Sequence, residues 1–302
     1  MRGSIPVVFD ARFLSEPGHA SLTIDGGSET FLRGRLDEGV PLMLFKSSVL
    51  LAIALLAYFP AQVRAGIALG TAGDFAVLAG STVTNTGPTS IDGGNVGVSP
   101  GSSITGFSPG SLAAPYTFHT NDAMTTQAHN DLTTAFNAAV ALAPTQILTG
   151  QDLGGMTLTP GVYFFSSTAQ LTGILTLNDQ GDPNAQFVFQ VGSTLSTASD
   201  ASVVTINGGS TSGSNIFWQV GSSATLGKNT AFEGNILALT SITLTTGATI
   251  LDGSALAMNG AVTLDSNQIT ANASVPEPAS AALVVLGASL VGLPVLRNRL
   301  RP

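Results

Sequence analysis

The sequence predicts a mainly β protein, a solenoid of short stacked strands interrupted by one long helix. Three observations carry this. Glycine accounts for 35 of 302 residues while aromatic residues make up only 6%, a composition of many turns and short strands rather than of helical bundles. Short β-prone runs recur, each closed by a Gly-Ser turn: Phe187 to Val191 leads into Gly192-Ser193, and Ile216 to Val220 leads into Gly221-Ser222, 29 residues later. One segment alone changes period, with apolar residues at helical spacing from about 121 to 143.

Thr225-Leu226 is echoed by Thr243-Leu244 after 18 residues, and Gly234 by Gly253 after 19. Recurrence at about 20 to 30 residues marks coils that each add strands to one continuous core, whereas a propeller blade needs about 40 to 45. The uneven intervals correspond to insertions at corners, such as Gly208 to Ser214. Segments on both sides of the helix are expected to join one core, filled largely by Phe187, Phe189, Ile216, Trp218, Ile236 and Leu237.

In the helix, Met124, Ala128, Leu132, Phe136 and Val140 fall at steps of four, with Ala135, Ala139 and Leu142 widening the stripe. Pro144 ends it, Thr120 or Asn121 can cap its start, and Asp122 sits near the positive end of its dipole. Such a stripe must be covered, and Met124, Leu132 and Phe136 are expected to face the solenoid.

The two ends of the chain differ from its middle. Ten of the 28 charged residues lie in positions 1–42, read here as an upstream extension from a misassigned start. From Met43 a short basic start with Lys46, an apolar run from Ser47 to Phe59 and a small-residue site at Val63-Arg64-Ala65 follow in the order of a secretory leader, over 43–65. At the other end, Pro276-Glu277-Pro278 precedes eighteen mostly apolar residues, Ala279 to Leu296, then Arg297, Arg299 and Arg301. Eighteen helical residues can just cross a bilayer, with the arginines held on the cytoplasmic side. This tripartite segment, 276–302, resembles the bacterial PEP-CTERM sorting signal. The resemblance implies export across the inner membrane of a Gram-negative cell, transient anchoring there, and handling by an exosortase-type processing enzyme.

Residues 66–275 hold a single basic residue, Lys228, against eleven acidic ones, with 32 Thr and 22 Ser. That balance argues against a nucleic-acid partner held through phosphates. With no Cys anywhere in the chain, disulfides, thiolate metal sites and cysteine nucleophiles are excluded. His19, His119 and His129 do not fall at ligand spacing from one another, so neither a metal site nor a cofactor is expected.

Dispersed motifs across 66–275 then resemble the ice-binding-like family of microbial antifreeze proteins. They are Leu69 to Ala79, Asn95-Val96-Gly97-Val98-Ser99-Pro100-Gly101, Ile104 to Phe107, the alanine-rich helix, Leu158 to Phe164, Phe187 to Gly192, Ile216 to Gly221 and Gly260 to Asp265. The resemblance implies a right-handed β-helix of triangular section, discontinuous in chain order, with the helix packed along one face, acting as a monomer that adsorbs to the surface of an ice crystal. Some members carry Thr-Ala/Gly-x-Thr/Asn on the ice-facing side. Thr86-Gly87-Pro88-Thr89 and Thr246-Gly247-Ala248-Thr249 match this pattern, and Thr197-Ala198-Ser199-Asp200 matches in part. Thr225 and Thr230 extend the same array, making Thr86, Thr89, Thr225, Thr230, Thr246 and Thr249 the candidate ice-facing residues, with Lys228 and Glu233 as departures from a flat grid.

Two other functions fit the same scaffold. A structural or adhesive matrix protein would use the solenoid as a stiff spacer. A polysaccharide-cleaving enzyme would need paired carboxylates; Asp179 and Asp182 are near each other in sequence but flank Gly181 and precede Pro183, the composition of a turn. The sequence therefore reads as a non-enzymatic binding protein.

Overall fold

The computed structural model describes residues 67–208 and 215–272, together with the backbone of two strands nearer the N-terminus. The chain divides into two compact units, 1–64 and 65–302. In the first, Ala11–Glu16 and His19–Ile24 pair antiparallel, with Ala11 opposite Ile24. The leader read at 43–65 and the sorting signal read at 276–302 lie outside the described residues.

The second unit is a β-solenoid of three parallel sheets, with nine, eight and seven strands. A typical turn runs through Phe187–Val191 of the nine-stranded sheet, Leu195–Thr197 of the seven-stranded sheet and Ser202–Ile206 of the eight-stranded sheet, then returns at Ile216–Val220. The sequence echoes are single turns of this coil. Phe187 lies opposite Ile216, Gln190 opposite Gln219 and Thr225 opposite Thr243. The glycine echo marks a crowded corner, where a β-carbon on Gly253 would come within 1.9 Å of the Gly234 carbonyl oxygen.

Alternation along each strand sends one set of side chains inward. Tyr163, Phe189 and Trp218 stack down successive coils, with centroid distances of 5.4 and 3.8 Å, and Phe232 closes on Trp218 at 4.9 Å. Phe187, Phe189, Ile216, Trp218 and Ile236 are buried in this interior as expected. Leu237 is not: it points outward from the nine-stranded sheet and is buried instead beneath the helix. The alternation that places Ile236 inside puts its neighbour on the opposite face.

Coil order is discontinuous. Phe75–Ala79 inserts between Ala255–Ala257 and Asn95–Val98, so the first coils of the chain continue the stack begun by the last. The strand before the helix, Phe118–Thr120, is at one edge of the nine-stranded sheet, and the strand after it, Gln146–Ile147, is at the other. Those edges are eight strand intervals apart, about 38 Å at the usual spacing. A helix of 19 residues, Ala123–Ala141, spans about 28 Å of that return path.

The helix is shorter than the predicted 121–143, and its cap is Asp122 rather than Thr120 or Asn121. The Asp122 carboxylate accepts from the Thr125 N–H at 2.8 Å while the Thr125 hydroxyl accepts from the Asp122 N–H at 3.0 Å. Leu132, Ala128, Ala135, Phe136 and Ala139 are buried against Leu78, Val188, Phe217, Leu237 and Leu256, and Met124 packs at their border. Val140 does not join the stripe, being 51% exposed. Polar anchors fix the pose: Gln190 donates to the carbonyls of Ala139 at 2.7 Å and Leu142 at 2.8 Å, Asp131 accepts from the Thr71 N–H at 2.8 Å, and the His129 ring lies 3.1 Å from the Ala79 carbonyl.

Candidate functional site

The helix covers the nine-stranded sheet, leaving the outer faces of the other two sheets open. On the seven-stranded sheet, cross-strand register aligns Gln170, Ser196, Thr225, Thr243, Thr263, Thr84 and Thr105 in a single outward row. Five consecutive positions of that row are threonine. Four of the five are flanked by side chains that turn into the core, such as Ala224 and Leu226, Ile242 and Leu244, Val262 and Leu264. Neighbouring strands lie about 4.8 Å apart, and a parallel row two residues back is displaced by about 6.6 Å. Two residues back along the chain stand Thr168, Thr194, Ser223, Ser241, Ala261, Thr82 and Ser103; Thr82 and Ser103 pair in the ladder, and the other five each immediately precede their strand. Neither row contains a charged residue. The Thr84 and Thr263 hydroxyls approach to 3.5 Å across the ladder, and β-branching restricts each threonine's χ1.

The eight-stranded sheet differs. Its outward positions include Ile174, Val204, Ile206 and Leu251, all exposed, with Asp92 at an exposed strand end. The uneven side-chain lengths make it a rougher surface than the threonine row.

The six threonines selected from sequence do not share a face. Thr225 lies in the threonine row. Thr249 is on the eight-stranded sheet, aligned with Gln268 and Ser90. Thr86 ends its strand opposite Asp265, and Thr246 sits exposed in the turn where its hydroxyl donates to the Asp265 carboxylate. Thr89 and Thr230 are fully buried and cannot meet a surface. The Thr230 and Thr197 hydroxyls bond each other at 2.7 Å, and the Thr89 hydroxyl accepts the Asn267 N–H at 3.0 Å. The two Thr-Gly-x-Thr tetrads straddle the corner between the seven- and eight-stranded sheets, and their second threonines differ: Thr89 is sealed inside the bend, whereas Thr249 opens a strand of the eight-stranded sheet. Thr84, Thr105, Thr243 and Thr263 complete the row although the tetrad pattern does not point to them. The sequence signal for Thr243 and Thr263 is the triplet with threonine between two inward-turning residues, Ile242-Thr243-Leu244 and Val262-Thr263-Leu264.

The feared departures from flatness are elsewhere. Lys228 projects from the corner turn beside Asn229. Glu233 belongs to the eight-stranded sheet and is 6% exposed, its carboxylate accepting the Thr205 hydroxyl at 2.9 Å. Burial raises its pKa, with the Asp252 and Asp179 charges adding to the shift. Asp179 is likewise buried, and burial together with the Asp182 charge raises its pKa. Among the described residues, no three His, Asp or Glu side chains converge on a point where they could hold a metal.

Comparison with known proteins gives a consistent answer. A family model described as ice-binding-like matches residues 77–270. The chain is 55% identical over 258 residues to an ice-binding protein of Nostoc sp. (strain HG1), an alignment covering 82% of this chain and 93% of that one. It is 34% identical to an ice-binding protein of Colwellia sp, over 68% of this chain and 83% of the relative. Among solved structures, an ice-binding protein from an Antarctic biological consortium superposes with a TM-score of 0.64 at 47% identity, covering 70% of this chain and 94% of its own. One from the Antarctic ascomycete Antarctomyces psychrotrophicus also gives 0.64, at 45% identity, over 68% of this chain and 98% of the other.

Proposed function

The chain belongs to the ice-binding-like family, and from this we propose that it adsorbs to ice through the outer face of its seven-stranded sheet. The observation that carries the reading is the uncharged two-row grid centred on Thr225, Thr243, Thr263, Thr84 and Thr105. Each threonine presents a methyl group and a hydroxyl at a position fixed by the ladder. Methyl groups favour cage-like water around them, and hydroxyls anchor that water by hydrogen bonds, so an ordered layer on the face can merge with a growing crystal plane. A rigid face loses little conformational entropy on attachment. Nothing covalent is made or broken, and the reading requires no catalytic group or cofactor.

The test is thermal hysteresis and ice-recrystallisation inhibition by purified 66–275. Replacing Thr243 or Thr263 by Tyr lifts a bulky ring above the middle of the grid, and most activity should vanish while the melting temperature holds. Full activity in both folded variants would defeat the assignment of the face. An inactive wild-type domain would instead favour the matrix or adhesive role.

Export completes the proposal. The leader pattern at 43–65 and the Pro276-Glu277-Pro278 segment with its apolar tail support a protein delivered to the cell surface or beyond, through transient anchoring in the inner membrane and an exosortase-type processing enzyme. Mass spectrometry of the mature protein checks this. A mature N-terminus just after Ala65 and loss of the C-terminal arginines are expected, whereas recovery of peptides from the 11–36 stretch would refute the reading of residues 1–42.

A further inference from the structure

Beneath the corner that leads off the threonine grid, one buried residue ties together the three strands that carry its centre, through its side chain and its backbone N–H. Asn267 is 3% exposed. Its amide nitrogen donates to the carbonyls of Thr245 and Ala248, both at 2.9 Å, and its amide oxygen accepts the Asp265 N–H at 2.6 Å. Its own backbone N–H donates to the Thr89 hydroxyl at 3.0 Å. Thr245 follows Thr243 by two residues, Asp265 follows Thr263 by two, and Thr89 follows the strand that bears Thr84. Those three threonines are neighbours at the middle of the row, Thr243 opposite Thr263 and Thr263 opposite Thr84. One residue therefore gathers the exits of three successive coils.

We infer that Asn267 is a positioning residue for the ice-binding face: it sets the relative height of the central threonines without touching ice. The inference rests on the reading of the seven-stranded face as the ice-binding plane. Strand ladders fix spacing along the row, but the corner decides where each strand stops being flat, and here adjacent coils leave it differently. Thr86-Gly87-Pro88-Thr89 spends one residue more between Thr86 and Thr89 than the coil below spends between their partners Asp265 and Asn267. Asn267 reconciles the unequal turns. Its side-chain amide gives two donors to the coil of Thr243 and one acceptor to its own coil, and its backbone N–H reaches the coil of Thr84 through Thr89.

The test separates positioning from stability. Asn267→Asp keeps the shape and the acceptor for Asp265 but sets an oxygen against two carbonyl oxygens. Leu237→Ala, beneath the helix on another face, serves as the comparison of lowered stability. Hysteresis is measured near 0 °C at equal concentrations of folded protein, where lost stability alone has no effect. Asn267→Asp should fall at least about fivefold, as expected when supported groups lose their registry, while Leu237→Ala stays near wild type. A second pair remains available should Asn267→Asp fail to fold: Thr89→Val removes the acceptor for the Asn267 N–H and should lower hysteresis, and Thr89→Ser should restore it. Wild-type hysteresis in folded Asn267→Asp, or equal activity of the Val and Ser variants, overturns the inference. If Thr243→Tyr abolishes activity in the same assay, the face survives and this inference alone falls. If Thr243→Tyr is fully active, both fall together.

Discussion

Thr225 and Thr230 stand five residues apart in the same coil and meet opposite fates, one exposed in a hydroxyl row, the other sealed inside a corner. Period-two alternation identifies the first, because Ala224 and Leu226 both turn inward. The second could not be placed from sequence, since its orientation depends on where the strand ends and the bend begins. Thr225→Tyr should accordingly cost activity and leave the unfolding free energy within about 0.5 kcal/mol. Thr230→Val should cost about 1–2 kcal/mol through the lost hydroxyl bonds to Thr197 and the Ala198 carbonyl, as calorimetry can show. The carboxylates make a separate prediction about pH. Asp122, held down to about 2 by the Thr125 N–H and by its bond to His119, stabilises the fold above its ordinary value of 3.8, and that contribution is lost as pH falls toward 2. Asp179 and Glu233 have raised values, so their contribution is complete below the ordinary 3.8 and 4.5 and is lost as pH rises through the raised ones. The melting temperature should therefore peak in mild acid, and Asp179→Asn should raise it near pH 7 but not near about pH 4.

Among the elements, the helix was the most legible and the corners the least. Steps of four from Met124 to Phe136 identified a covered face, and the cover is the nine-stranded sheet. Val140 departs from the stripe because the helix reaches its end there, and Gln190 takes over the last turn by donating to its free carbonyls. That explains Gln190, a polar residue in an otherwise apolar strand with no visible purpose in one dimension. Leu132→Ala should destabilise by about 2–5 kcal/mol through loss of burial and the cavity left behind. Gln190→Leu should cost about 1–3 kcal/mol by leaving buried carbonyls without donors. Both are measurable by denaturant unfolding, and both should leave hysteresis of the folded protein near wild type.

At the scale of the whole molecule, sequence periodicity revealed single turns of the coil but could not give their order. The 29-residue echo from Phe187 to Ile216 is one turn, and adjacent repeats advertise themselves. The pairing of Val77 with Ala255 joins segments 178 residues apart and leaves no periodic trace. Here the family resemblance supplied the discontinuity that residue patterns could not. Because first and last coils share one ladder and one interior, 66–275 should unfold in a single calorimetric transition whose van't Hoff and calorimetric enthalpies agree. The same stacking has a mechanical side. The described solenoid begins near Ile67 and ends at Asn272, and the coils bearing those positions are neighbours within the stack, Gln268–Thr270 pairing directly with Ser90–Asp92. Neither end of the stack carries a terminus. Tension drawn through the chain at Asn272 is thus delivered to an interior coil braced on both sides, and it must shear strands out of ladders rather than peel one from an edge. A domain held to a growing crystal would meet such a pull with the ladders on both sides of that coil.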